Sequence, residues 1–598
     1  MTVLGFDFGT TNSLASVIVD GKPIPFFEND APIPSVVSYE GGKVVVGRKA
    51  RDRLERAGLG IHGSTVRSAK SLLGREEVFI DGVQRDPVDI VTHVIEYVRN
   101  HVKGHRAAKK LDIEQVVATI PVNMEGERRK LLRQAFDNAG LGVVQFVHEP
   151  LAALYGHIRT AKNSKDLLKR YDGKLLLVFD WGGGTLDLTL CKLKDGLLTQ
   201  IANDGTEEVG GDIFDDTLRN EVERRYRDAN GIGDDVGLLP DAAKNLLHQC
   251  EIAKIELSER DDWTVDVESF FDDPDSDSHL SLTYTRDELD VLFNRLVSNG
   301  ISRISRLLDA AGYSPASVQL CLATGGMVNM PLVKSRLFEL FGSSRVNISK
   351  NGASAISEGA AWVAHDEAKL HLAKNVELSL ARNSYMPLVK AGTQMPGQNQ
   401  VQNVEFDLYC ADPTDGHAKF SLVSPHRPGS VVPNNDERRT LSNMLLEVDA
   451  KAKPFTERLN LSIQVDHNLI LRATGWSCNH HARCHAEVHD LEFSLAMPGA
   501  IPGQQVEQWD AERTEREGRT QGQLFMRSNI ASRIDHSLVP GDVLYKYNPQ
   551  YFDMRMDPPQ IQIEERLYYV PCLMCGRRSN DPQCTCASDG KLDGAVQA

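Results

Sequence analysis

The sequence predicts a two-lobed α/β domain, then an antiparallel β-sandwich, then a cysteine-rich C-terminal extension. Three observations lead there. Over residues 1–365, short apolar runs alternate with longer helix-like stretches, as in an α/β domain. Past residue 375 the pattern changes to alternating apolar and polar positions, the mark of half-buried strands. Near the end, Cys572, Cys575, Cys584 and Cys586 crowd into one short stretch.

The first element is Val3-Leu4-Gly5-Phe6, an apolar run that reads as a buried strand and delivers Asp7 at its end. Gly9-Thr10-Thr11-Asn12-Ser13 follows. The same grammar returns at Leu175-Leu176-Leu177-Val178-Phe179, which delivers Asp180 and then Gly182-Gly183-Gly184-Thr185-Leu186-Asp187. A third glycine loop, Ala323-Thr324-Gly325-Gly326-Met327, comes later. Glycine lets a backbone approach a phosphate closely, and exposed N–H groups with threonine hydroxyls can hold one. Asp7 and Asp180 are candidates to hold Mg²⁺ through water, since magnesium gives up its hydration reluctantly. Two such hairpins face to face would grip a nucleotide triphosphate; two unrelated β-hairpins are the bland alternative. Helices are expected near 87–103, 125–139, 214–230 and 286–311. The acidic run at 272–278 reads as a solvated hairpin tip, because it lacks the spaced glycine and terminal glutamate of a calcium loop.

Further segments extend the pattern. They are Ala69-Lys70-Ser71-Leu72-Leu73-Gly74-Arg75, Val117-Ala118-Thr119-Ile120-Pro121 with Arg129, and Val147-His148-Glu149-Pro150-Leu151-Ala152-Ala153. Gly210-Gly211-Asp212 and Glu251-Ile252-Ala253-Lys254-Ile255-Glu256-Leu257-Ser258 complete them. In order, spacing and content, residues 1–365 resemble the 70-kDa heat-shock proteins, the DnaK-type chaperones of the actin and sugar-kinase superfamily. The resemblance implies an actin-like ATPase domain with ATP and Mg²⁺ as cofactors. It assigns Lys70, Glu149, Asp180, Thr185 and Asp187 to slow hydrolysis. It assigns Gly9, Thr10, Thr11, Asn12, Gly182, Gly183, Gly184, Gly210 and Gly211 to the phosphates and the adjoining loops. Glu251, Lys254, Ser258, Gly325, Gly326 and Asn329 fall on the ribose and adenine side. Pro121 and Arg129 match the family's proline switch and its partner arginine.

Two departures stand out. Asn329 occupies a position where the family commonly has an arginine, whose guanidinium would stack on the adenine face. Asn351-Gly352-Ala353-Ser354 replaces the family's Asn-Pro-Asp-Glu turn. Both predict looser adenine binding beside an intact phosphate end.

Residues 366–375 read as an interdomain linker, and 376–495 as a sandwich resembling the family's substrate-binding domain. Strands are expected at 376–380, 404–409, 459–465 and 469–473, with a long loop over 425–440. From 496 to 598 the resemblance stops, and the family's helical lid is not expected; 505–519 could form one polar helix at most. Cys572, Cys575, Cys584 and Cys586 suit a structural zinc site, with a redox pair or incidental thiols of a disordered tail as the alternatives. Cys478, His480, His481, Cys484 and His485 form a second candidate metal group, with a polar hairpin end as the alternative.

The net charge of −16 argues against nucleic-acid and anionic-membrane partners, and no apolar run reaches transmembrane length. Met1-Thr2-Val3 leads straight into the first strand, leaving no room for a signal peptide, so the cytoplasm is the expected location. The resemblance implies an ATP-dependent chaperone that binds unfolded or extended polypeptide, with co-chaperones. The alternatives are an ATP-gated switch for one dedicated protein client, or a small-molecule kinase of the same superfamily.

Overall fold

The structure is a computed structural model. It describes residues 2–500, except positions 41, 55–60, 63, 207, 234–235, 238–241, 269, 271–278, 350–351, 381–383, 430–431, 433–435, 453–456 and 480. Beyond 500 it describes the backbone of three short strands, Val543–Tyr545, Gln560–Ile563 and Arg566–Tyr569. The chain divides into two compact units. One comprises Met1–Lys369 with Ala496–Ala500, and the other is built on Leu370–Leu495.

The first unit contains two sheets with the same wiring. In the first sheet, β1 (Thr2–Phe8) lies antiparallel to β2 (Asn12–Val19) and parallel to β3 (Ile113–Ile120), which lies parallel to β4 (Gly142–His148). In the second, β5 (Lys174–Trp181) lies antiparallel to β6 (Leu186–Lys194) and parallel to β8 (Val318–Thr324). β7 (Leu197–Thr206) extends that sheet beyond β6, and β9 (Val346–Ile348) extends it beyond β8. Both aspartate-bearing strands are interior to their sheets. That explains their unbroken apolar runs: Leu175 to Phe179 are all 6% exposed or less.

Helices cover these sheets. α1 (Glu149–Thr160) and α5 (Ala355–His365) cross where Gly156 and Gly359 meet; a Cβ on Gly156 would lie 2.7 Å from the Gly359 Cα. Gly5 in β1 sits against the α5 backbone in the same way, so this crossing tolerates no side chain. Trp181 ends β5 fully buried, edge-on to Phe179 and Phe214, with its indole N–H donating to the Val209 carbonyl at 2.6 Å. This clamps the strand end that carries Asp180.

The expected helices appear at Pro87–Gly104, Gly126–Asn138, α2 (Gly211–Asn230) and α4 (Arg286–Ala310). Asp86 caps the first by accepting from the Val88 N–H, and Thr285 with Glu288 forms a capping box on α4. α2 starts at Gly211, three positions before the expected 214, so the glycine pair is the helix entrance. α3 (Ala242–Glu256) lies beside α2. The acidic run at 272–278 falls outside the described residues; the strands flanking it, Asp262–Val267 and Leu280–Thr285, pair antiparallel.

The second unit contains two antiparallel sheets. One has the order Ser384–Val389, Val376–Leu380, His417–Pro425, Arg438–Glu447. The other has the order Arg483–Val488, Leu471–Ser477, Glu457–Asp466, Val401–Cys410, Val543–Tyr545. Leu459, Leu461, Ile463 and Val465 are buried on alternate positions, as half-buried strands require. Phe420 of the first sheet reaches Gly475 of the second. The expected loop over 425–440 is shorter at both ends, because Pro425 and Arg438 pair across the two strands that flank it.

Short strands also pair where the chain enters and leaves this unit: Leu370 lies opposite Leu495 and Leu372 opposite Phe493. Buried ion pairs accompany them, Lys374 to Glu492 at 3.0 Å and Arg438 to Glu377 at 2.8 Å. Residues 496–500 then count with the first unit, where the Met497 N–H donates to the Gly196 carbonyl.

The described members of the Cys478–His485 group do not converge. Cys478 Sγ donates to Asn460, Cys484 is buried against Gly475, and His485 shares a hydrogen bond with Thr474. Cys484 and His485 fall on opposite faces of one strand, which is why compact spacing does not make a site here. Among the described residues, no three His, Cys, Asp or Glu side chains could hold a metal ion together. Cys572, Cys575, Cys584, Cys586 and the 505–519 segment lie outside the described residues. No helix among the described residues is long and apolar enough to cross a membrane.

Candidate functional site

Asp7 and Asp180 end the two interior strands, and the glycine loops after them meet. A Cβ on Gly183 would lie 3.2 Å from Thr11 Oγ1, and one on Gly184 would lie 3.6 Å from Thr10 Cγ2. The first loop is pinned by Ser35, whose hydroxyl donates to the Gly9 carbonyl at 2.9 Å and whose N–H donates to the Thr11 carbonyl at 2.9 Å. Ser35 belongs to no motif in the sequence. Gly210 packs against Gly183 and Gly184, so the entrance of α2 forms a third wall.

Lys70 lies on a short 3-10 turn, Lys70–Leu72, and its ammonium contacts the Glu149 carboxylate at 3.0 Å. The two side chains are only 4% and 11% exposed. Glu149 is the first residue of α1. Thr185 Oγ1 donates to Asp187 Oδ2 at 2.9 Å, and Gly205 borders both Asp187 and Asn123. Asn123, three residues into the loop after β3, is another site neighbour that carried no sequence signal.

The electrostatics are unusual in one respect: carboxylates outnumber cations. Burial, with the Glu149 charge behind it, pushes Asp7 up to about 7, against the opposing pull of Lys70 and the hydrogen bond from Thr119. Burial, then Glu149 and Asp187, pushes Asp180 up to about 7 as well. Four carboxylates around one lysine leave negative charge that a hydrated divalent cation would neutralise. Carboxylate oxygens are the hard donors that suit Mg²⁺ keeping its water.

The residues expected on the ribose and adenine side are arranged differently. Lys254 on α3 pairs with Asp215 at 2.7 Å and donates to the Gly211 carbonyl at 3.0 Å. Burial pulls Asp215 up to about 7, and Lys254 opposes it. Gly211 also abuts Met327, which brings the third loop to this wall. Glu251 is held by Arg51 at 3.4 Å and Arg67 at 3.7 Å, and Arg67 reaches Asp212 as well. Burial alone would raise the Glu251 pKa, but His248, Arg67 and Arg51 outweigh it and lower it to about 2. The arginines had no motif to mark them. Ser258 turns its hydroxyl to the Lys254 carbonyl, while Ile255 and Asn329 are exposed. Gly325 adopts φ +87°, a left-handed conformation that brings it against the Trp181 carbonyl and Asp180 Oδ1, so only glycine fits.

Arg129 is fully buried and donates to the Met124 carbonyl at 2.8 Å. Burial, with the nearby Arg129 charge, drives His148 down to about 3, so this imidazole is neutral between β4 and α1.

The family model described as Hsp70 protein matches residues 3–369. The chain belongs to the 70-kDa heat-shock protein family. The match spans the whole first unit up to its last residues and stops where the second begins. Members of this family bind ATP with Mg²⁺, are ATPases and act as chaperones on unfolded polypeptide. In this member of the family, the two aspartate strands, the Lys70–Glu149 pair and the α2 entrance all belong to the first unit.

Proposed function

We propose that this chain binds and slowly hydrolyses Mg·ATP between the two glycine hairpins, and that nucleotide state governs polypeptide binding by the β-sandwich unit. The supporting observation is the meeting of the Thr10-Thr11 and Gly183-Gly184 loops beside the buried Lys70–Glu149 pair. The loops supply N–H groups and hydroxyls to the β- and γ-phosphates. Asp7 and Asp180 hold the hydrated Mg²⁺. Lys70 offsets charge developing on the phosphoryl oxygens, and Asp187, oriented by Thr185, positions the attacking water. Glu149 fixes Lys70 and adds to the metal's outer shell. Magnesium, when bound, supplies charge neutralisation on the phosphates.

The base end is weaker. Asn329 is exposed and offers no guanidinium to stack on adenine. ATP is therefore held mainly by its phosphates. The test is ATP turnover by the full chain with and without a reduced, unfolded peptide, together with release of a fluorescent peptide on adding ATP. Turnover stimulated by many unrelated peptides supports the reading. Turnover indifferent to unfolded peptide, with release of a single dedicated protein, replaces it with a client-specific switch.

A further inference from the structure

Each phosphate-facing aspartate has a threonine on the strand running parallel beside it. In the first sheet Phe6-Asp7 on β1 lies alongside Ala118-Thr119 on β3, with Phe6 opposite Ala118. In the second, Phe179-Asp180 on β5 lies alongside Ala323-Thr324 on β8, with Phe179 opposite Ala323 and Asp180 opposite Thr324. The two sheets repeat one arrangement of residue types at the same register. In the first sheet its use is visible: Thr119 Oγ1 donates to Asp7 Oδ1 at 3.0 Å. In the second, Thr324 is fully buried, and its hydroxyl has no hydrogen-bond partner of ordinary geometry. The residue that carries it stands directly opposite Asp180 across the parallel pair.

A buried hydroxyl without a partner is costly, and such a group needs an explanation in the working state. Thr324 cannot withdraw. Gly325, next along the chain, is wedged in its left-handed conformation against Trp181 and Asp180. A β-branched side chain in a strand has a stiff first torsion, so the direction of its hydroxyl is set by the backbone.

We propose that Thr324 is the positioning residue of Asp180, the counterpart of Thr119 on Asp7: its hydroxyl donates to one oxygen of the ionised carboxylate and leaves the other aimed at the hydrated metal on the phosphates. This rests on the Mg·ATP reading of the site. Thr185 and Asp187 orient the water, whereas Thr119 and Thr324 orient the two carboxylates that hold the ion's shell.

The test compares Thr324→Val, which keeps the shape and removes the donor, with Thr324→Ser, which keeps the donor. Calorimetry measures ATP affinity in excess chelator and in Mg²⁺, and steady-state assays give kcat. Thr324→Val is expected to bind metal-free ATP as the parent does, to lose about tenfold of the Mg²⁺-dependent gain in affinity, and to lose about tenfold in kcat. Thr324→Ser is expected to restore both to within about twofold, since the same hydroxyl is returned. If the valine variant does not fold, Thr324→Cys, which leaves only a weak donor, is judged by the same criteria. A valine variant indistinguishable from the parent overturns the proposal. So does a serine variant as impaired as the valine one, or a loss of equal size with and without Mg²⁺, because either marks packing alone. Parent protein that binds no Mg·ATP overturns the site reading itself, and the positioning role with it.

Discussion

The proposed phosphate end and the proposed nucleoside end of the ATP site are built on different plans. At the phosphate end the charges are buried and fixed to the ends of interior strands: Lys70 and Glu149 are almost wholly covered, and Asp7 and Asp180 stand beside threonines on parallel neighbours. At the nucleoside end the charges are committed elsewhere. Glu251 is taken by Arg51 and Arg67, Lys254 by Asp215, and the residues left open are Ile255 and Asn329. Chemistry on the phosphates demands groups held to a fraction of an ångström in a low-dielectric setting. Holding a base demands only a surface, and surfaces are free to change.

The largest effect expected from this contrast is on Lys70. Lys70→Ala should lower the ATPase kcat by about 100-fold or more while changing ATP affinity little, because its charge acts where negative charge develops. A single-turnover assay with nucleotide binding measured in parallel checks this. Unchanged hydrolysis would remove Lys70 from the mechanism.

The second effect concerns pH. Without metal, Asp7 and Asp180 hold protons up to about pH 7, and Mg²⁺ needs them ionised. Below that pH the metal must displace protons, so Mg·ATP affinity should rise with pH by up to about tenfold per unit for each proton released. It should level off above pH 7. Affinity in excess chelator should lack this rise. A flat profile in Mg²⁺ from pH 6 to 8 would contradict the buried, proton-holding state of the pair.

Third, the base end should be improvable without disturbing the phosphate end. Asn329→Arg is expected to tighten ATP binding about fivefold through stacking on the adenine, with kcat unchanged. Equal tightening of inorganic triphosphate would show a charge effect instead.

Smallest is the lock formed by Arg67 with Glu251 and Asp212. These are partly exposed pairs at 3.4 and 3.7 Å, worth on the order of 1 kcal/mol together. Arg67→Ala should therefore speed nucleotide release only about twofold to fivefold, more at low salt than at high. Stopped-flow release of a fluorescent ADP analogue reads it directly.

Much of this was legible in the residues. The Asp7 and Asp180 strands announce themselves because an interior parallel strand is apolar on both faces, and the glycines after them have a local backbone reason. The four helices expected were found because each is a continuous local stretch of chain, and Asp86 and Thr285 cap two of them. Ser35, Asn123, Arg51 and Arg67 could not be read this way. Each reaches the site from a distant segment, through contacts that leave no periodicity or spacing. The Cys478–His485 cluster shows the converse: residues close in sequence were parted by the alternation of a strand.

By itself, the sequence determined the order of elements, the two aspartate–glycine–threonine turns and the family, because these depend on neighbouring residues and on burial along one strand. Only the tertiary structure decided which groups work together. It set Lys70 on Glu149, turned Glu251 to Arg51 and Arg67, and placed Ala-Thr beside Phe-Asp in both sheets. The reason is physical: a partner's identity is fixed by register between strands and by the burial that makes a charge need a partner, and neither is written in any one stretch of chain.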